Sequence, residues 1–438
     1  MNITNGTTIA STTAASKLPL PFPFYNEAAI TLLFFSIYVT DRFFSKVIKT
    51  SPLLGQLLAG ILLGPACLNI IPFVEAFQFF GKLGVMLLVV ESGLATDIKR
   101  VVKFGGRSFL AAFLGVIAPV LLAVGGGALF FGAAVRVGLA AGSAIAPTSL
   151  GFSAKLLGTE GLQTNLGSII AISAVIDDVL SLCLLEIVRA LKTAVTPWDY
   201  LRPMVASLGS IVVGLFVVWV TRRMELVRRV VECSSSQRQR SSSAAAHKDD
   251  WVYLLLLTLV SIGLGWACAA VGSSDLLGCF LGGLALSGSK AKESFARRYG
   301  KITKIATSLF FACTVGFGVP SLLSLFSLSS LSRGAYLLLA ALVGKAFVGF
   351  LAIPLTTFNF FKFSIAMQGR GEFSFLIADI AKSEGVLDNE WHAGCIWACV
   401  LASLVAPFGF RYVLGREKEQ TKDESKEITP REMEDVRL

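Results

Sequence analysis

Ile169–Leu182 has the sequence IIAISAVIDDVLSL. It lies in an apolar run long enough to cross a bilayer, yet it carries two adjacent carboxylates, Asp177 and Asp178. A charge near the bilayer centre costs from about 3 to more than about 10 kcal/mol, depending on the reference state. Two like charges side by side cost more. Such a pair is retained where it faces a wet cavity and handles an ion or a proton. The alternative is a structural site that neutralises basic groups on neighbouring helices.

Composition supplies the context. Of 438 residues, 54% are hydrophobic and only 16% are charged, against about 25% charged in soluble chains. Mean hydropathy is +0.71. Apolar runs near the spanning length recur at 27–48, 53–72, 76–96, 107–132, 137–157, 163–190, 202–221, 251–271, 275–288, 303–326, 333–356, 364–383 and 391–413. These describe an all-α polytopic membrane protein of about 13 transmembrane helices. The net charge of +10 falls mostly in loops between the runs, so it marks membrane orientation and not nucleic-acid binding. Eight cysteines, mostly single within apolar runs, give no disulfide framework. With only His247 and His392 and no CxxC, no resident metal centre or other cofactor is expected.

Basic clusters alternate along the chain. Arg42/Lys46/Lys49, Lys99/Arg100/Lys103/Arg107, Arg222/Arg223/Arg228/Arg229 and the stretch 290–304 share one side, as does the tail after Arg411. The intervening loops are poor in Lys and Arg. The positive-inside rule then makes the C-terminus cytoplasmic, and an odd number of spans puts the N-terminus outside. Two glycosylation sequons, at Asn2 and Asn5, agree. The chain divides into a polar extracytoplasmic N-terminus (1–25), a first membrane half (26–221), a basic, Ser-rich cytoplasmic linker that includes Cys233 (222–250), a second membrane half (251–413) and a charged cytoplasmic tail (414–438). From about Glu417 the tail reads as disordered.

The two halves repeat. Leu54-Gly55-x-x-Leu58-x-Gly60-x-x-Leu63 recurs as Leu277-Gly278-x-x-Leu281-x-Gly283-x-x-Leu286, an offset of 223 residues that also brings Gly93 onto Gly316. Seven runs separate the partners. Seven is odd, so corresponding helices cross in opposite directions, and the substrate site of such an inverted repeat is expected at the midplane among broken helices. The same offset lays Ala146–Gly151 (APTSLG) on Gly369–Ser374 (GRGEFS), both interrupting apolar runs with Pro or Gly. Unwound backbone at that depth is tolerated where it lines a cavity or packs in protein.

Few other charges lie inside the runs. Lys345, in LLLAALVGKAFVGF, needs a partner. Glu91, Glu372 and Asp379 are further candidates, with Arg370 placed to neutralise Glu372. Glu186 and Arg189, three apart, form a local surface pair.

Between about residues 30 and 413 the chain resembles a sodium/proton antiporter of the second cation–proton antiporter family, a group of monovalent cation:proton antiporters. The resemblance rests on GQLLAGILLGP (55–65), GVMLLVVESGL (84–94), APTSLG (146–151), AVIDDVLSL (174–182) and GRGEFSF (369–375), in this order and spacing. It implies inverted five-helix repeats with two crossed broken helices, a separate dimerisation domain, elevator-type alternating access and a homodimer. It implies a carrier and not an enzyme, exchanging Na⁺ or Li⁺ for protons, with K⁺/H⁺ exchange as the alternative and a cation channel as a remoter one. By position, Asp178 is the main cation and proton carboxylate, with Thr148 and Ser149 beside the ion at the crossing. Asp177 pairs with Lys345, as in members with paired aspartates, which are typically electrogenic. Pro147 and Arg370, inside the two breaks beside Gly371 and Glu372, depart from the family pattern. The sequence shows no large nucleotide-binding domain, unlike the ligand-gated potassium-efflux relatives.

Overall fold

Apolar composition dictates helices, since backbone amides inside a bilayer must be satisfied within their own segment. The structure, a computed structural model, describes residues 24–192, 196–223, 243–287 and 291–435, and every regular element among them is helical. The polar N-terminus through residue 23, both sequons, and linker residues 224–242 with Cys233 lie outside the described residues.

The first half runs α1 (Tyr25–Arg42, drawn on by a π turn to Ile48), α2 (Pro52–Leu63), α3 (Val74–Ala95), α4 (Ile98–Phe131), α5 (Val135–Ile145), α6 (Leu150–Gly161), α7 (Asn165–Ala190) and α8 (Pro197–Arg223). The second runs α9 (Ser243–Ala270), α10 (Asp275–Ala285), α11 (Ala291–Arg298), α12 (Gly300–Leu309, continued through π-helical Phe310–Val315 to Gly318), α13 (Leu322–Leu325), α14 (Leu328–Ala346, continued to Leu351), α15 (Thr357–Ala366), α16 (Glu372–Ser383) and α17 (Asn389–Asp435).

The thirteen apolar runs do not become thirteen equal spans. Among the described residues nine helical stretches are long and apolar enough to cross a membrane. The runs at 53–72, 275–288, 303–326 and 364–383 are built from shorter or interrupted helices. α2 has 12 residues and α10 has 11, about 18 Å of helix against a hydrocarbon core of about 30 Å. The apolar run outlasts α2 because Gly64 turns extended (φ −78°, ψ −173°) and the chain winds through turns to Phe73. The tail also differs from expectation, since α17 continues to Asp435. Extending an existing helix needs no new nucleus, and Glu and Lys are strong helix formers. An ion pair from Lys362 to Glu417 at 2.7 Å ties its early part to α15.

Five elements of each half correspond: α2 with α10, α3 with α12, α4 with α14, the broken α5–α6 with the broken α15–α16, and α7 with α17. The offset shows in the packing. A Cβ on Gly60 would stand 1.9 Å from the Ala312 carbonyl oxygen, and one on its counterpart Gly283 would stand 2.2 Å from that of Val90. A Cβ on Gly93 would stand 2.2 Å from Phe280 O, and one on its counterpart Gly316 would stand 2.9 Å from Gly60 Cα. One backbone contact is thus made twice, with the halves exchanged. α3 and α12 run antiparallel, since Gly81 lies against Phe310 while Gly84 lies against Ala306.

At these glycines the obstacle is backbone, which cannot step aside. Gly60→Leu or Gly283→Leu is expected to cost at least the 1–3 kcal/mol typical of overpacking, about that range as a floor. The readout is a lowered thermal midpoint in detergent. Gly105→Leu, with nothing within 4 Å of its Cβ position, is the control and should unfold as the parent does.

Candidate functional site

Pro147 ends α5, because it lacks an amide hydrogen and its ring displaces the carbonyl four residues back. Ser149 restarts the helix as the N-cap of α6, its Oγ accepting from Phe152 N at 3.3 Å. In the other half α15 stops at Ala366 and α16 begins at Glu372, with Gly371 extended between them.

The two breaks cross and satisfy each other. Ser149 N donates to Gly369 O at 2.9 Å and Thr148 Oγ1 to Met367 O at 3.0 Å. Ser153 Oγ donates to Ala366 O at 2.7 Å, and Ser374 Oγ to Pro147 O at 3.2 Å. Gly371 is required by contact, since a Cβ there would stand 2.5 Å from Ser149 Cβ. The orphan carbonyls that helix ends leave are therefore met from the opposite half.

Arg370 is the largest fully buried side chain among the described residues. Its guanidinium donates to Ala146 O at 3.3 Å, Pro147 O at 3.2 Å and Ala341 O at 3.5 Å. This corrects the expected Arg370–Glu372 neutralisation. No ion pair joins them among the described residues, because the break aims Arg370 at the C-terminal end of α5, where the helix dipole favours a cation. Glu372, half-buried, adjoins the Ser149 hydroxyl instead and lies within electrostatic reach of Asp178.

Lys345 and Asp177 are both fully buried and pair at 2.8 Å, Nζ to Oδ2. Lys345 also donates to Thr148 Oγ1, so one ammonium joins α7, α14 and the crossing. Gly115 on α4 leaves room for it, its Cβ position 3.9 Å from Nζ. Asp177 Oδ1 has no partner. Asp178 differs from its neighbour. It retains 6% exposure against 0% for Asp177, and among the described residues its carboxylate makes neither hydrogen bond nor ion pair. The site thus gathers Asp177, Asp178, Thr148, Ser149, Lys345 and Glu372, with Pro147, Arg370 and Gly371 as its scaffold. Glu91 stays apart, exposed on α3. Asp379 lies two turns along α16 against Gly318, and Glu186 pairs with Arg189 at 2.6 Å.

Sequence reasoning passes over Ser403. Its Oγ accepts from Arg370 N at 2.9 Å and donates to Arg370 O at 3.2 Å, holding the second break open. Nothing in the α17 sequence distinguishes this serine from an ordinary packing residue.

Residues 30–415 match the family described as sodium/hydrogen exchanger, transmembrane. The chain belongs to that family. It is similar to the high-affinity Na(+)/H(+) antiporter NhaS3 of Synechocystis, at 25% identity over 92% of this chain and 94% of that protein. It is also similar to the Na(+)/H(+) antiporter of Enterococcus hirae, at 24% identity over 82% and 90%. The K(+) efflux antiporter 3, chloroplastic, of Arabidopsis thaliana is 24% identical, and the match covers 86% of this chain but 50% of that one. In fold the chain resembles the solved sodium proton antiporter MjNhaP1 of Methanocaldococcus jannaschii, with TM-score 0.57, 17% identity, and coverage of 87% and 95%. As a family member it is a multi-pass membrane transporter of cations and protons.

Breaking a buried ion pair from one side leaves an uncompensated charge, at a cost of about 3–5 kcal/mol. Lys345→Met alone should lower the thermal midpoint in detergent by that equivalent. Lys345→Met with Asp177→Asn should recover most of the loss. Equal destabilisation in the single and double variants would contradict the pairing.

Proposed function

We propose that the chain is a secondary active antiporter that exchanges Na⁺ or Li⁺ for protons, electrogenically and by elevator-type alternating access, as a homodimer. The observation that carries this reading is the asymmetry of the two aspartates. Asp177 is committed to Lys345, while Asp178 is free and slightly exposed. A free carboxylate binds a proton or a hard cation but not both productively, so competition at Asp178 couples the two fluxes. Thr148 and Ser149 offer hydroxyl oxygens at the same crossing, the hard donors that such cations take.

With Asp177, Asp178, Glu372, Lys345 and Arg370 all ionised, three negative and two positive groups leave one negative charge, which one proton or one monovalent cation on Asp178 neutralises. Competition at Asp178 alone is one for one, and a second proton has to come from Lys345. A cation held by Asp178 and drawing on Asp177 displaces Lys345, which in that buried place releases its proton. Two protons then move against one cation. Because each net charge senses about 2.3 kcal/mol per 100 mV, turnover responds to voltage.

α1 and α8 are the least buried of the nine spans, 17% and 22% within their apolar windows. They contribute nothing to the crossing, which supports a dimer interface through 27–48 and 202–221. By the distribution of basic loops the C-terminus is cytoplasmic and the N-terminus extracytoplasmic. K⁺/H⁺ exchange is the second reading, favoured by the similarity to potassium-efflux antiporters.

Proteoliposomes decide. Sodium should dissipate a pH gradient saturably, and Asp178→Asn should abolish this while the protein stays folded; parental turnover in that variant refutes the assignment. A cation panel on the same vesicles separates Na⁺ from K⁺. Imposed voltage should change the parental rate, and Lys345→Gln with Asp177→Asn should remove that response. Indifference of the parent to voltage would make exchange electroneutral and Lys345 a strut.

A further inference from the structure

Away from the crossing, the end of α1, the middle of α6 and the membrane exit of α17 enclose a cavity of about 140 Å³. Three exposed cations, Lys49, Lys155 and Arg411, line it, with Thr50 and Ser51 beneath them. Among the described residues none of the three makes an ion pair. Lys155 donates to Thr50 O at 2.6 Å and Arg411 Nε to Pro407 O at 3.1 Å, neither of which neutralises its charge. Asp41 lies within electrostatic reach of Lys155 but accepts from Gln56 Nε2 at 3.0 Å. Thr50 is 1% exposed, and its Oγ1 has no hydrogen-bond partner. An unsatisfied buried hydroxyl costs about 1–3 kcal/mol, and here it lies on a wall that also gathers positive charge. An oxyanion with several acceptor oxygens answers both demands.

One helical turn along α17, from Pro407 to Leu404, a second cavity of about 310 Å³ begins. Its walls are almost wholly apolar: Leu54, Leu58 and Leu62 of α2 face Trp397, Val400 and Leu404 of α17. Leu58 and Leu62 remain 39% and 42% exposed. A groove of this kind at membrane depth takes hydrocarbon. A cationic cradle one helical turn from an apolar groove on the same helix has the two-part chemistry of an anionic phospholipid.

We infer that this chain binds an anionic phospholipid, its phosphate held by Lys49, Lys155, Arg411 and the Thr50 hydroxyl and one acyl chain laid between α2 and α17. A neutral zwitterionic lipid fits less well, because its ammonium meets three cations and no acid lines the cavity. The lipid bridges the α1–α2 corner to α6, which follows the first break, and to α17, whose Ser403 holds the second. The inference does not depend on which cation the chain carries.

Native mass spectrometry of the purified full chain, titrated with phosphatidylglycerol or phosphatidylcholine, tests it. The parent should retain phosphatidylglycerol at least tenfold better, and Lys49→Gln/Arg411→Gln, which removes no bond between elements, should erase that preference. Leu58→Trp/Leu62→Trp fills the groove and leaves the cations. It should also lose the lipid, whereas retention there would reduce the site to adventitious phosphate binding and overturn the proposal. Equal retention of both lipids by the parent, or an unchanged preference in the Gln variant, overturns it as well.

Discussion

The ion pair between Lys345 and Asp177 is the constraint on which the rest depends. Two charges with no exposed surface face a desolvation cost of several kcal/mol each, repaid only by good geometry and further hydrogen bonds. The 2.8 Å contact and the second bond to Thr148 supply that geometry. Thr148, however, reaches Lys345 only if α5 breaks beneath it, and the break survives only if a second break meets its carbonyls and amides. Crossing, repeat and ion pair are thus one requirement.

Arg370 shows how the crossing meets its own electrostatic demands. Helix ends directed at a common point leave unpaired carbonyls and partial charges in a low-dielectric place. A guanidinium with its fixed fork of donors satisfies two carbonyls at the end of α5 and a third on α14. That leaves Asp178 as the acid without a committed partner, and freedom of this kind is what exchange requires.

Much of this was legible in the sequence because the forces involved leave marks on residue types. Backbone contact leaves glycine, so Gly60, Gly283, Gly93 and Gly316 carried the 223-residue register. Desolvation cost makes Asp177, Asp178 and Lys345 stand out from apolar neighbours. What failed to show has equally physical causes. Arg370 and Glu372, two apart in sequence, suggested a pair, but the unwound backbone between them aims their side chains at different targets. The run after Leu63 stays apolar while its backbone leaves the helix, so length by hydropathy overstated α2. Ser403 acts through a backbone it reaches only in three dimensions. The charged tail lacked the apolar face by which a packed helix is recognised, yet its Glu and Lys residues extend one already begun.

In the proposed exchange a monovalent cation displaces protons from Asp178 and from the Lys345–Asp177 pair together. Isothermal titration of sodium into the purified protein, in buffers of different ionisation enthalpy, counts protons released per cation bound. The expected count is about two protons near neutral pH, falling to about one in Lys345→Gln/Asp177→Asn. Sodium binding with no proton release would contradict it.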